Sequence, residues 1–174
     1  MRGIDASVTR GAHGHIALAY RLSGEIDRLL IPAQQPQGPV DNLWEHTCFE
    51  VFIAVGGAAA YHEFNFSPAG QWAAYAFAGY RQRDAAGSRQ LASISSPRIV
   101  TRRFADRLEL DAIVSADALP SGAATATLEL GVSAVAEADD GRRSYWALRH
   151  AAARPDFHQR DTFILELAAP PAFA

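Results

Sequence analysis

The feature that most restricts this chain is an apolar pattern that repeats at every second residue, in short stretches. Ile16, Leu18, Tyr20 and Leu22 alternate with Ala17, Ala19 and Arg21. Side chains of an extended strand point alternately to its two faces, so such a stretch is a strand with one face in a core. The same reading gives strands at Asp27–Ile31, Glu45–Val55, Tyr61–Phe66, Trp72–Tyr80, Ile94–Phe104, Arg107–Val114, Leu128–Glu137, Tyr145–His150 and Thr162–Leu167. Gly56–Gly57, Ser67–Gly70 and Asp139–Gly141 are turn signals, and Ala105–Asp106 closes a hairpin. Ala58–Ala60 and Ala151–Ala153 have helical propensity but are too short to nucleate a helix. Ten short strands in 174 residues predict an all-β fold: a two-sheet antiparallel β-sandwich of jelly-roll or immunoglobulin-like type. The length fits one domain over residues 1–174, with 168–174 as a loose end.

Composition narrows the chemistry. All 16 basic residues are arginine, so Schiff-base chemistry and a P-loop lysine are excluded. The one cysteine, Cys48, excludes an internal disulfide and a cysteine-rich zinc site. Net charge is −3, and the densest basic group, Arg98, Arg102, Arg103 and Arg107, reads as a solvated strand edge. No basic stripe with stacking aromatics is present, so no nucleic-acid partner is expected. No apolar run approaches a membrane span and the first residues carry no apolar leader, so neither a membrane partner nor export is expected; the expected compartment is the cytoplasm.

The stretch from Trp44 to Tyr80 carries the functional signal. Phe49, Val51, Ile53 and Val55 form one apolar face; Trp44, His46, Cys48, Glu50 and Phe52 form the other. Pairing this strand with Tyr61–Phe66 opposes Phe49 to Phe66, Val51 to Phe64, Glu50 to Asn65 and Phe52 to Glu63. A slip of two residues would set Glu50 against Glu63, which like-charge repulsion disfavours. The next strand is expected to bring Trp72 beside Asn65, with Ala74, Ala76 and Ala78 as a hollow floor. Aromatic rings bordering carboxylates and an amide suit a polyhydroxylated ligand: a ring meets the C–H face of a sugar, and the polar groups take its hydroxyls.

The segments LWEHTCFEVFIAV, YHEFNFSP and GQWAAYAFAGYR, with the later SYWALRH and RPDFHQRDTFILEL, resemble the DOMON-like domains related to family 9 carbohydrate-binding modules, in a bacterial stand-alone group. The resemblance runs from Leu43 to Leu167 and implies a β-sandwich that binds sugar or haem and is not a catalyst. It matches Trp44, Glu50 and Trp72 to sugar-binding positions and offers Trp146 as a second stacking wall. The expected site therefore comprises Trp44, Trp72 and Trp146 as stacking surfaces, Glu50, Glu63 and Asn65 for hydroxyls, and Arg149 as a further donor. Alternation sets Trp146 and Arg149 on opposite faces, so both serve one site only across a bulge. The expected partner is a small saccharide, with no cofactor, no metal and no catalytic residue.

Other readings stay open. Haem would need two of His46, His62, His150 and His158, because the one methionine is residue 1. His13 with His15 could hold a metal, and Asp156, His158 and Asp161 could hold Ca²⁺. Glu50 and Glu63 could serve a glycoside hydrolase, since adjacent strands bring carboxylates within the required spacing. A Cys48–His46 dyad is out of hydrogen-bond reach along one strand. The outer sheet face could instead cover a protein partner.

Overall fold

The computed structural model describes residues 1–170. In chain order its elements are β1 (Gly3–Arg10), β2 (Ile16–Ser23), β3 (Cys48–Val55), β4 (Tyr61–Phe66), β5 (Trp72–Gly79), β6 (Gln82–Asp84), α1 (Ala85–Ile94), β7 (Arg98–Arg103), β8 (Arg107–Val114), β9 (Leu128–Glu137), β10 (Arg143–Ala147) and β11 (Leu165–Leu167). They form an antiparallel β-sandwich. One sheet has the order β1-β2-β8-β7 and the other β10-β9-β3-β4-β5-β6, with β11 also paired to β9.

The core is the space between the sheets. Ile16, Leu18, Tyr20 and Leu22 of β2 and Leu108, Leu110, Ala112 and Val114 of β8 face Phe49, Val51, Ile53, Phe64 and Phe66. Burying such side chains is worth roughly 1.5–3 kcal/mol each. The Tyr20 hydroxyl stays satisfied by donating to the Glu50 carbonyl at 2.8 Å. Strand β3 is buried almost throughout, because a second apolar cluster covers its far face: Cys48, Phe52, Tyr61, Tyr75, Phe77 and Phe163.

The expected β3–β4 register is the observed one: Phe49 opposes Phe66, Glu50 opposes Asn65 and Phe52 opposes Glu63. The β7–β8 hairpin also closes where expected, with the Phe104 N–H donating to Arg107 O at 2.9 Å. Arg102 pairs with Asp111 at 2.7 Å, Arg107 with Glu109 at 2.9 Å and Arg103 with Asp27 at 2.8 Å, so carboxylates on neighbouring strands and turns take up three of the four arginines of this group.

Several elements differ from expectation, and the strands expected from Glu45, Ile94 and Thr162 begin only at Cys48, Arg98 and Leu165. β1 is an added edge strand whose pattern Ile4, Ala6, Val8 is half-exposed. Asp27–Ile31 is a 3-10 turn at Ile26–Arg28 followed by a single bridge from Leu29 to Ala138. Residues 82–94, expected to be loop and strand start, form the short strand β6 and the helix α1. Asp84 caps that helix, accepting from the N–H groups of Ala86 and Gly87 at 3.0 and 2.9 Å. α1 buries Leu91 in the core with Ala92 partly buried against it, and its Ser88 hydroxyl accepts from Ala76 N–H at 3.0 Å. Tyr145–His150 is shifted to Arg143–Ala147. The expected loose end beyond Leu167 begins with an anchor, since Arg10 donates to Ala168 O at 3.0 Å; residues 171–174 lie outside the described part.

Strand β5 carries the correction that matters most for the site. Its register places Trp72 opposite Phe66 and Ala73 opposite Asn65. Trp72, Ala74 and Ala76 therefore face the core, while Ala73, Tyr75 and Phe77 face outward. A one-residue difference in register turns every side chain of a strand over. The turn Ser67–Gln71 sets it, closing through Ser67 N–H to Gln71 O at 2.8 Å with Gly70 in the left-handed region at φ 94°.

Candidate functional site

The outer face of the six-strand path holds a cavity of about 500 Å³. Its floor is β-sheet: Glu50 and Phe52 from β3, Glu63 from β4, Tyr75 and Phe77 from β5, and Val135 from β9. Three pieces of chain rise around it. Trp44 and Glu45 stand on the 3-10 turn Leu43–Glu45, Arg81 and Arg83 stand at β6, and Arg143 and Tyr145 stand on β10. Pro155 to His158 closes the remaining side from the excursion between β10 and β11.

Aromatic surface lines the walls. Trp44 is 37% exposed and meets Tyr75 edge-on, with ring centroids 5.6 Å apart. Tyr145 lies 6.3 Å from Phe157 by ring centroids. Phe163 packs beneath, and its ring approaches so closely that a Cβ on Gly131 would come within 2.9 Å of it.

The floor carboxyls are nearly free of solvent, Glu50 at 2% and Glu63 at 5% exposure. Ser133 Oγ donates to Glu50 at 2.9 Å, and Asn65 Nδ2 donates to Glu63 at 2.7 Å. Burial, and then the charge of Glu63, pushes the Glu50 carboxyl up to about 8 against the Ser133 bond. Burial likewise pushes Glu63 up to about 7, against the Asn65 bond and the charges of Arg83 and Arg81. Two diagonal carboxyls in a dry place cannot both ionise cheaply, so the pair keeps a proton near neutrality.

A hydrogen-bonded chain runs along one wall. Arg81 N–H donates to Tyr61 Oη at 3.3 Å, and Tyr61 Oη meets His158 Nδ1 at 2.9 Å. With the hydroxyl donating to Nδ1, the imidazole proton rests on Nε2, which lies 3.9 Å from Glu63 Oε2. Burial and the Arg81 charge press His158 down to about 4, so it is neutral at pH 7. Arg81 has φ 54°, uncommon for a residue with a side chain. Asp156 holds it there, accepting from Arg81 at 2.9 Å and from Tyr80 at 2.5 Å. These bonds keep the Asp156 carboxylate below its ordinary range although burial acts the other way.

Of the expected residues, the structure brings together Trp44, Glu50 and Glu63 on the cavity, with Asn65 buried behind Glu63. Trp72 is 4% exposed in the core. Trp146 opposes Ala134 and packs against the same core, donating to Ser144 Oγ at 3.0 Å. Arg149 is exposed beyond the end of β10 and is not part of the lining. Ala74 and Ala76 are in the core rather than in a hollow floor. Reasoning from the sequence missed Tyr75, Phe77, Arg81, Arg83, Arg143, Tyr145 and Phe157. The first two follow from the β5 register, and Tyr145 from taking the opposite face to Trp146.

The other histidine readings separate in space. Of His46, His62, His150 and His158, only His158 lines the cavity, so no opposed pair of histidines spans it for haem. His46 donates to Glu137 at 2.7 Å and His62 to Ala118 O at 3.0 Å. Cys48 is fully buried against Asn65, and burial pushes its thiol well up, which removes it as a nucleophile. His13 and His15 stand in the β1–β2 turn, and Asp161 lies in a 3-10 turn away from the lining. Among the described residues, no group of three or more His, Cys, Asp or Glu side chains could hold a metal ion. Among them, too, no helix is long and apolar enough to cross a membrane.

No protein-family model matches the sequence, and no curated protein matches it. Solved structures do resemble the fold. One is described as a "putative carbohydrate-binding protein" from Bacteroides uniformis, with TM-score 0.66 and 18% identity over 92% of this chain and 76% of that one. Another is a family 9 carbohydrate-binding module from Caldicellulosiruptor kristjanssonii in complex with cellotriose. It aligns with TM-score 0.51 and 8% identity over 84% of this chain and 66% of that one. At these identities the likeness establishes the β-sandwich.

Proposed function

We propose that the cavity binds a small saccharide without transforming it. The observation that carries this reading is the pairing of the exposed rings of Trp44 and Tyr145, with the half-buried Phe157 beside the second, with a floor of buried, partly protonated carboxyls. Rings offer flat apolar area to the C–H face of a sugar, and Glu50 and Glu63 can donate as well as accept toward hydroxyls. The two structural neighbours that carry carbohydrate-binding descriptions support the same direction, and the DOMON-like affiliation read from the sequence motifs is part of the proposal.

The test is titration calorimetry of the whole chain against a panel of mono- and disaccharides. Binding is expected, weakened about tenfold or more in Trp44→Ala. A flat thermogram for every sugar refutes the proposal.

A second reading is favoured by one fact: both floor carboxyls are raised and border an open cavity, as in a glycoside hydrolase. Such an enzyme needs an ionised carboxylate beside a protonated one, and a pair that keeps one proton near neutrality supplies both. Turnover on aryl glycosides that disappears in Glu50→Gln would establish it.

A further inference from the structure

We propose that the ligand is an acidic saccharide, whose carboxylate or phosphate is received by Arg83, a guanidinium placed over the Tyr75 ring at the cavity wall. The inference rests on the saccharide reading above and specifies its ligand.

Three arginines line the cavity, and they are not equivalent. Arg81 is committed to Asp156 at 2.9 Å. Arg143 approaches Glu137 at 3.9 Å, while the other oxygen of that carboxylate accepts from His46 at 2.7 Å. Arg83 stacks its guanidinium carbon 4.2 Å from the centroid of the Tyr75 ring. Its nearest carboxylate oxygen, Asp41 Oδ1, lies 3.7 Å away, beyond a hydrogen bond, and already accepts from the Tyr75 hydroxyl at 2.5 Å. The Arg83 side chain is 46% exposed, so a ligand in the cavity can reach it.

Stacking has a directional consequence. A planar guanidinium lying on a ring keeps its N–H groups at the rim of the plane, free for in-plane acceptors. A carboxylate or phosphate fits that rim with two parallel bonds, which a hydroxyl cannot match. The conformational entropy of the long side chain is already spent on the stack, so little ordering remains to be done on binding.

Each of the three guanidiniums has one carboxylate near it, Asp156 at 2.9 Å from Arg81, Asp41 at 3.7 Å from Arg83 and Glu137 at 3.9 Å from Arg143, and only the first of these contacts is a hydrogen bond. The floor carboxyls, which would repel an anion if ionised, are the ones that burial drives toward the neutral form. A neutral sugar makes no such use of a guanidinium whose carboxylate neighbour stands beyond hydrogen-bond distance.

The experiment compares D-glucose, D-glucuronate, the uncharged methyl ester of D-glucuronate, and glucose 6-phosphate by calorimetry on the full chain. At least one anion is expected to bind about tenfold or more tightly than both neutral sugars, and the arm that does so separates carboxylate from phosphate. Arg83→Gln should bring that ratio close to one, with Arg83→Lys in between. The ratio in the unaltered protein should also fall as salt rises from 0.05 to 0.5 M, a readout that needs no variant. Equal binding of neutral and acidic sugars overturns this inference and leaves the saccharide reading standing. An acid preference that survives in Arg83→Gln overturns the assignment to Arg83. Absence of binding by every saccharide overturns the saccharide reading itself, and this inference with it.

Discussion

Burying two carboxyls beside each other makes the stability of this protein fall as the solution becomes more alkaline. Glu50 and Glu63 have folded values near 8 and 7, above the roughly 4.3 of a solvated glutamate. Between these limits the unfolded chain has given up protons that the folded chain still holds. Folding then takes up protons, and stability drops as pH rises until the folded carboxyls ionise too. His158 acts in the opposite sense. Its folded value near 4 lies below an ordinary histidine, so its contribution is lost as pH falls below about 6.5. The thiol of Cys48, raised by burial, adds its own loss only above about 8. The clean window is therefore pH 6.5 to 8. One retained proton over that span changes stability by about 2 kcal/mol, at 1.36 kcal/mol per unit. The perturbation is Glu50→Gln, which keeps an acceptor for Ser133 but removes both the titration and the repulsion on Glu63. Urea denaturation at half-unit pH steps, with a constant m value, is the assay. The unaltered protein should lose about 2 kcal/mol across the window, and Glu50→Gln should lose less than half of that and be the more stable of the two at pH 8. A flat or rising profile for the unaltered protein would refute the buried-pair argument.

Two further outcomes follow from the faces of the strands. Trp72→Ala should cost about 3–5 kcal/mol in chemical denaturation by opening a void between the sheets, whereas Trp44→Ala should stay within about 1 kcal/mol; equal losses would contradict the β5 register. Asp84→Ala should remove about 1 kcal/mol by uncapping α1, and Asp84→Asn should recover most of it, both read from thermal melting.

The register of β3 on β4 was legible because its two faces differ. One is wholly apolar and the other carries Glu50, Glu63 and Asn65, so a slip of one residue turns the faces over and a slip of two sets Glu50 against Glu63. Strand β5 offered no such contrast. Its two sets, Trp72-Ala74-Ala76 and Ala73-Tyr75-Phe77, are both apolar, because the sheet is covered on each side there. The sequence pattern could not choose, and a turn hydrogen bond did. Helix α1 was hidden for a related reason. It commits one leucine to the core, and the signal that remained was its cap, Asp84. The cavity arginines at Arg81 and Arg83 escaped notice because β6 is three residues long and exposed, too short for any periodicity. Glu50 and Glu63 were legible from alternation, and they are the part of the site that sheet geometry dictates; Trp44 reaches the cavity from the 3-10 turn Leu43–Glu45 rather than from the strand that alternation assumed.

The wall from Pro155 to His158 has an architectural property of its own. The chain leaves β9's edge at Ala147, which pairs with Ser133, and rejoins the same edge at Leu165, which pairs with Leu130. Both anchors belong to one strand a few residues apart, so the excursion is a nearly closed ring stitched to a fixed rail. Lengthening such a ring costs only about 0.6 kcal/mol for each doubling of its length. This one wall of the cavity is in that sense an interchangeable cassette. The exposed stretch 148–154 can be rewritten or lengthened to reshape that wall, while Phe163 stays in the cover of β3 and the sandwich keeps its pairing.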